Sequence, residues 1–179
     1  GNVTPTAAKK LAQKYFGRMK KGDFSTPDVF VDDQPAPRLL LQYKKTDQAH
    51  IILGFKSFGA KDPDVLAAMV LSRILGGGMS SRLFEEIRER RGLAYRVNAD
   101  HFEYIDTGTF VVKLGSKVEK VEEAIKVILS EISRMKTEPV SHSELQRALD
   151  SIEGHTALEM ESKKSIASGY GTQLLLENK

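Results

Sequence analysis

The sequence predicts an α+β fold, in which an antiparallel sheet carries helices packed on one of its faces. Short segments with apolar residues at every second position come in adjacent pairs, and strands that follow each other directly pair antiparallel. Longer segments with apolar residues three or four positions apart follow each pair, as in helices that cover a sheet. With 179 residues, the chain can bury a sizeable core, and we expect one domain over residues 1–179.

The first part of the chain predicts a helix, a loop and a strand. Thr4-Pro5 can cap and start a helix that ends near Phe16. Residues 17–37 hold glycines and prolines without a period, which predicts a surface loop or a linker. Apolar side chains at 39, 41 and 43 recur at every second position and predict a strand from Leu39 to Tyr43.

The partner strand and a buried helix come next. A second strand is predicted from Ile51 to Phe55, after a hairpin turn at Thr46-Asp47. From Asp62-Pro63 to the glycines at 76–78, apolar residues cover nearly the whole circumference of a helix, which is typical of a buried helix.

Another helix and a second pair of strands are predicted next. A helix is predicted between a serine cap, at Ser80 or Ser81, and Gly92 at its end. Strands over 95–104 and 109–114 follow, joined by an Asp-Thr-Gly turn.

The last part of the chain is predicted to be helical. Apolar residues from Val118 to Met135 recur three and four positions apart and predict an amphipathic helix. Ser141 and Glu144 form a capping box for the next helix, and a last helical segment ends in the leucines at 174–176.

Composition excludes several classes of function. The net charge is +3, with basic and acidic residues interspersed, so we expect no nucleic-acid partner. The chain has no cysteine, which excludes disulfides and thiolate sites. Apolar runs are too short for a membrane span, and we expect a soluble protein of the cytoplasm or the periplasm. Because the chain begins GNVTPTAAKK without a methionine, we expect a fragment of a longer protein.

The glycine-rich stretch is the first candidate site, formed by Gly76, Gly77, Gly78 and Ser80. No Lys-Ser/Thr pair follows, as a Walker loop requires, and a helix precedes the glycines where a dinucleotide fold has a strand. Two other interpretations stay open. The glycines let two helices meet at a sharp angle, or their backbone N–H groups hold an anion or a peptide carbonyl.

Arg88 and Tyr95 form the second candidate site. Arg88 lies at the edge of the apolar stripe of its helix, four residues after Phe84, and Tyr95 opens the next strand. If helix and strand fold back on each other at Gly92, a guanidinium and a phenol converge and can stabilise an oxyanion. The spacing alone favours a snorkelling arginine and a core tyrosine.

A metal site is the third candidate. The chain has four histidines but neither H-x-x-E-H nor H-E-x-x-H. His155 and Glu159 are four residues apart on a predicted helix, but two ligands are too few for zinc, and a core or boundary histidine is the better interpretation.

One long stretch makes the prediction specific. ILGGGMSSRLFEEIRERRGLAYRV, at 74–97, closely resembles the second domain of the M16 zinc peptidases, the insulinase, pitrilysin and mitochondrial processing peptidase type. Further stretches resemble this domain in the same order: GNVTPTAAKKLAQKYFG at the start, KKTDQAHIILGF at 44–55, DPDVLAAMVLSRIL at 62–75, the E-L-x-R-A of residues 144–148, and TALEMES at 156–162.

The resemblance implies a clam shell of two homologous halves with a LuxS/MPP-like fold. The first half would hold zinc and the general base through H-x-x-E-H, so zinc belongs to the missing N-terminal domain and no metal to this chain. The second half contributes an arginine and a tyrosine separated by six residues, which match Arg88 and Tyr95. Tyr95 would stabilise the oxyanion, and Arg88 would position it or the peptide backbone. Arg96 follows Tyr95, where the family often has a small residue.

Partners and function follow from the resemblance. Expected partners are the N-terminal M16 domain or a partner subunit and a peptide substrate, and a homodimer is allowed. The chain is expected to be the non-zinc half of an endopeptidase of the small, two-domain bacterial kind, inactive alone. A non-catalytic M16-like partner or scaffold is the alternative, and a nucleotide-binding domain is a third hypothesis.

Overall fold

A computed structural model describes residues 2–20, 22 and 28–177 of the chain. The chain divides into two compact units, one of residues 1–29 and 157–179 and one of residues 30–156. The elements are α1 (Pro5–Phe16), β1 (Ala49–Ser57), α2 (Val65–Gly76), a π-helix (Phe84–Arg90), β2 (Ala94–Glu103), β3 (Gly108–Ser116), a 3₁₀ turn (Val118–Lys120), α3 (Val121–Thr137), α4 (His142–Met160) and α5 (Lys163–Glu177). The expectation of one domain over 1–179 stays a prediction.

The smaller unit contains α1, the last residues of α4, and α5. Its first helix begins as the sequence predicts, because the Thr4 hydroxyl oxygen accepts a hydrogen bond from the Ala7 backbone nitrogen at 3.2 Å and Pro5 is the first helical residue.

Among the described residues of both units, no helix combines the length and the apolar character that a membrane span needs.

The larger unit is built on a three-stranded antiparallel sheet in the order β1-β3-β2. Phe110, Val112 and Leu114 on the central strand face the core, and their register partners on both sides face the same way. Those partners are Phe55, Leu53 and Ile51 on β1, and His101, Ala99 and Val97 on β2. This alternation is the period-two pattern by which the strands were predicted.

Helices cover the core face of the sheet. Leu75 of α2, Ile87 of the π-helix and Ile128 of α3 are at most 1% exposed and belong to one apolar cluster with Val112 and Leu114. The predicted α+β class, an antiparallel sheet with helices on one face, is therefore confirmed. The opposite face carries polar residues, where the Lys113 ammonium donates to the Asp100 carboxylate at 3.0 Å.

The strand predicted from Leu39 to Tyr43, and with it the first hairpin, is wrong. Leu39, Leu40, Leu41 and Tyr43 are between 83% and 93% exposed and lie outside every strand of the described sheet, in which β1 pairs with β3. An alternating pattern reports which residues could share a face, but a strand exists only where a neighbour accepts its backbone hydrogen bonds.

The loop that contains Asp32 and Gln34 is bound to the C-terminal end of β1. Lys56 forms an ion pair with Asp32 and donates to the Gln34 carbonyl at 3.2 Å, and the Phe30 backbone nitrogen donates to Asp106 at 2.7 Å. The predicted loop over 17–37 is thus confirmed where it is described, whereas residues 21 and 23–27 lie outside the described residues.

The first glycine of the glycine-rich stretch sets how closely α2 approaches β2. A Cβ atom at Gly76 would overlap the Ala99 backbone nitrogen and lie 2.8 Å from the Ala99 Cβ. Glycine is therefore needed at this position for packing. Gly78, two residues later, has no atom within 4 Å of the position where its Cβ would be.

We predict that Gly76→Ala destabilises the chain by about 1–3 kcal/mol, the usual penalty for overpacking, which outweighs the ~0.5–1 kcal/mol that alanine gains in a helix. Gly78→Ala is the matched control and should change the free energy of unfolding by less than about 0.5 kcal/mol. Urea unfolding followed by circular dichroism measures both. Equal stability of the two variants would contradict the packing role of Gly76.

Candidate functional site

Arg88 and Tyr95 border the same cavity, which has a volume of about 350 Å³. Its other lining residues are Gly92, Leu93, Ala94, Lys117 and Lys120. The convergence that the turn at Gly92 predicts is therefore present in the structure. Both side chains are exposed, Tyr95 at 54%, so the interpretation of Tyr95 as a core residue is wrong.

The helix that carries Arg88 differs from the predicted α-helix, because residues Phe84–Arg90 form a π-helix. Single π-helical turns are rare and occur frequently at functional sites. Leu83 and Ile87 are fully buried and fix this helix on the sheet. Arg88 lies on the exposed side, with its guanidinium 4.9 Å from the centre of the Phe84 ring, a cation–π contact that orients it.

The three other arginines of residues 82–91 form ion pairs. Arg82 makes a bidentate pair with Glu144, at 2.6 and 2.8 Å. Arg90 pairs with Glu85 and Glu86, and Arg91 with Glu86, which lowers the pKa of the Glu86 carboxyl. Within the part of the chain that the structure describes, Arg88 has no carboxylate partner at ion-pair distance. Its charge is thus free to meet a ligand.

Gly92 ends the helix, as predicted. Its φ is +55°, a conformation that glycine adopts without strain. Its backbone nitrogen donates to the Arg88 carbonyl at 3.2 Å, and the next nitrogen, of Leu93, donates to the Ile87 carbonyl at 2.7 Å. These bonds fix the angle at which the chain leaves the helix and enters β2.

Tyr95 is the extra residue of a β-bulge in β2. Ala94 pairs with Ser116 and Arg96 with Gly115, so two positions of β2 advance the ladder by only one position of β3. A bulge of this kind redirects side chains and increases the local twist. Ala94 and Val97 both face the core, at 7% and 6% exposure, and Tyr95 and Arg96 both face outward.

Tyr95 also borders a second cavity, of about 530 Å³, on the polar face of the sheet, together with Arg96, Asn98 and Asp100. Arg96 follows Tyr95 at the position where the resemblance predicts a small residue. It lines this second cavity and not the cavity of Arg88. The apolar spacing of three between Ala94 and Val97 interrupts the period of two and is the sequence signal for the bulge.

The glycine-rich stretch lies at a different cavity. Gly77, Gly78 and Ser80 border a space of about 280 Å³ together with Arg73 and residues of α4. The predicted serine cap is absent, since the Ser81 hydroxyl donates to the Gly78 carbonyl at 2.5 Å and the π-helix has no side-chain cap. The structure does not bring these residues into the cavity of Arg88 and Tyr95, and their role in substrate binding stays a prediction.

Two residues of the Arg88 cavity, Lys117 and Lys120, were not singled out in the sequence. They follow β3 directly and lie three positions apart, but only the fold brings them next to Arg88.

The third candidate from the sequence was a metal site. The described residues contain no group of three or more His, Asp or Glu side chains close enough to hold an ion. His155 and Glu159 both lie on α4.

The sequence profile described as the peptidase M16 inactive domain matches residues 1–152. The chain is 30% identical over 183 residues to the uncharacterized zinc protease YmxG of Bacillus subtilis, covering 100% of this chain and 43% of that protein. It is 37% identical over 136 residues to an uncharacterized zinc protease of Streptomyces coelicolor, covering 76% of this chain and 30% of that protein. The chain spans less than half the length of these relatives.

Solved structures share the fold. A protease from Helicobacter pylori superposes with a TM-score of 0.73 at 21% identity, covering 99% of this chain and 44% of its own. The peptidase M16 inactive domain from Pseudomonas fluorescens gives a TM-score of 0.65 at 26% identity, covering 74% of this chain and 32% of its own. The described sheet and helices are thus those of an M16 inactive domain.

The Arg82–Glu144 pair gives a prediction for stability. The hydrogen bonds from Arg82 lower the pKa of the Glu144 carboxyl below its usual value of 4.5, so the pair stabilises the fold above that pH and loses its effect as the pH falls through the lowered pKa. We predict that Arg82→Met lowers the free energy of unfolding by about 1–3 kcal/mol near neutral pH, since the charge-assisted hydrogen bonds are lost. The difference from the unsubstituted chain should shrink as the pH falls below 4.5 and through the lowered pKa of Glu144.

Urea unfolding at several pH values measures this difference. Lys126→Met, which breaks the fully exposed pair with Glu122, is the control and should have no measurable effect. A loss of stability in Arg82→Met that does not depend on pH would show that packing, not the charge of Glu144, holds α4 at this place.

Proposed function

We propose, since the chain belongs to the M16 peptidase family, that it is the non-zinc half of a zinc-dependent endopeptidase and presents Arg88 and Tyr95 to an extended peptide in a closed chamber. The observation that carries this proposal is the shared cavity of the two side chains, in which the arginine has no carboxylate partner among the described residues. The names of the relatives, which are zinc proteases, support the reaction class.

Tyr95 is the proposed oxyanion donor. Attack of water on a peptide carbonyl places a negative charge on the carbonyl oxygen, and a fixed hydroxyl donor stabilises this charge more in the transition state than in the substrate. Because the bulge lies directly after the buried residues Leu93 and Ala94, the phenol is exposed on a fixed section of backbone. Such fixing lowers the reorganisation needed during the reaction.

Arg88 is proposed to position the substrate. A guanidinium presents a planar fork of donors and keeps its charge at every pH of interest, which suits a peptide carbonyl or a developing oxyanion. The Phe84 ring limits its rotation, and the nearby ion pairs of Arg90 and Arg91 leave Arg88 as the available arginine at the end of the helix.

Zinc and the general base are proposed to come from outside this chain, whose described residues contain no group of three or more His, Asp or Glu side chains close enough to hold an ion. In the proposed enzyme they belong to the other half, an N-terminal M16 domain or a partner subunit, and this chain alone does not hydrolyse peptides. A coding sequence that contains H-x-x-E-H upstream of Gly1 supports the single-chain enzyme. A degenerate motif there would favour the alternative, a non-catalytic M16-like partner or scaffold subunit.

We predict that Tyr95→Phe in the full-length enzyme lowers kcat/KM about 10²–10³-fold, the effect of removing one oxyanion donor, because the ring remains and only the hydroxyl is lost. Arg88→Ala should lower kcat/KM as well. Tyr104→Phe removes the hydroxyl of a similarly exposed tyrosine, directly after the other end of β2, and should leave hydrolysis unchanged. Steady-state hydrolysis of a fluorogenic peptide measures all three.

Unchanged kcat/KM in both Tyr95→Phe and Arg88→Ala would refute the assignment of the site. A parallel loss of activity in Tyr104→Phe would point instead to a general disturbance of β2.

A further inference from the structure

The cavity of Arg88 and Tyr95 is lined by charges of one sign. Three of its seven lining residues are cationic, Arg88, Lys117 and Lys120, and none is acidic. This imbalance is local, since the whole chain carries a net charge of only +3. A cleft lined by one sign of charge concentrates ligands of the opposite sign.

The two lysines are placed side by side by the 3₁₀ turn after β3. The Lys120 backbone nitrogen donates to the Lys117 carbonyl at 3.0 Å, and side chains three positions apart in such a turn lie on the same side. The strand end before the turn is fixed, because the fully buried Ser116 hydroxyl donates to the Leu93 carbonyl at 2.5 Å. Both lysines are therefore held at the edge of the cavity.

Favourable interactions with helix dipoles do not explain Lys117 and Lys120. Lys117 precedes the 3₁₀ turn and Lys120 precedes α3, and a cation is unfavourable at the positive N-terminal end of a helix. The Lys120 ammonium does donate to the Gly92 carbonyl at 3.0 Å, which supports the end of the π-helix, but two of its three donors remain for a ligand. Glu119 lies in the same turn and does not line the cavity.

We propose that Lys117 and Lys120, together with Arg88, bind a carboxylate of the peptide beside Tyr95, so that the enzyme prefers acidic substrates. The inference rests on the proposed function, in which a peptide occupies this cavity. The carboxylate comes either from an Asp or Glu side chain near the cleaved bond or from the C-terminus of the peptide. Ammonium–carboxylate hydrogen bonds at a partly enclosed site provide the selectivity over a neutral amide.

Binding and hydrolysis test different parts of this inference. The probes are short acetylated peptides that carry one Glu or one Gln at successive positions and end in a carboxylate or an amide. Fluorescence anisotropy with the full-length protein, stripped of zinc by a chelator, measures binding without cleavage. The zinc-loaded protein then gives kcat/KM for the same peptides.

We expect one acidic peptide, with Glu at a single position or a free C-terminus, to bind about tenfold more tightly than its neutral counterpart. The preference should fall to about onefold in Lys117→Gln/Lys120→Gln and persist in Lys136→Gln, which removes an exposed lysine of α3 away from the cavity. Lys117→Gln alone should reduce the preference without changing the urea midpoint, because the Lys117 side chain makes no hydrogen bond or ion pair with the described residues.

Equal binding of every acidic peptide and its neutral counterpart would overturn the inference, as would a preference that survives in the double variant. An acidic preference in binding without any hydrolysis by the zinc-loaded protein would support the carboxylate site and reject the proposed peptidase function. Hydrolysis without an acidic preference would support the proposed peptidase function and reject the carboxylate site.

Discussion

One extra residue in β2 determines how the candidate site is built. Ala94 and Val97 both have to face the core, although they lie three positions apart and a regular strand would turn one of them outward. The bulge resolves this conflict by leaving Tyr95 without a partner in the ladder. Burial of small apolar side chains on one face of the sheet is therefore what forces the phenol to the surface.

Arg88 and Tyr95 are exposed, but the backbone that carries them is fixed by buried neighbours. The side chains of Leu83 and Ile87 fix the π-helix on the core, Leu93 and Ala94 directly precede the bulge, and all four residues are at most 7% exposed. Gly92 connects the two elements through backbone hydrogen bonds on either side of the turn. A site whose exposed groups rest on packed and hydrogen-bonded backbone keeps its geometry, and that geometry is what selectivity and oxyanion stabilisation require.

The sequence predicted most helices and the strands β1, β2 and β3, because burial on one face leaves a regular period in their apolar residues. It also placed Arg88 at the edge of its stripe and Gly92 at the end of its helix. It missed what depends on partners distant in sequence. The segment from Leu39 to Tyr43 has a strand pattern but no neighbouring strand in the described sheet. Lys117 and Lys120 come close to Arg88 only because β3 ends beside the start of β2.

The glycine-rich stretch and the Arg–Tyr pair, which border separate cavities, are linked through one strand. Gly76 allows α2 to lie directly against the backbone of β2 at Ala99, five positions after Ala94 at the start of the same strand. A side chain at Gly76 would push β2 away from α2, whereas the π-helix and Gly92 hold its other end. The position of Tyr95 thus depends on both ends of the stretch. Its glycine end has a structural role in placing the strand, and its tyrosine end holds the proposed catalytic residue.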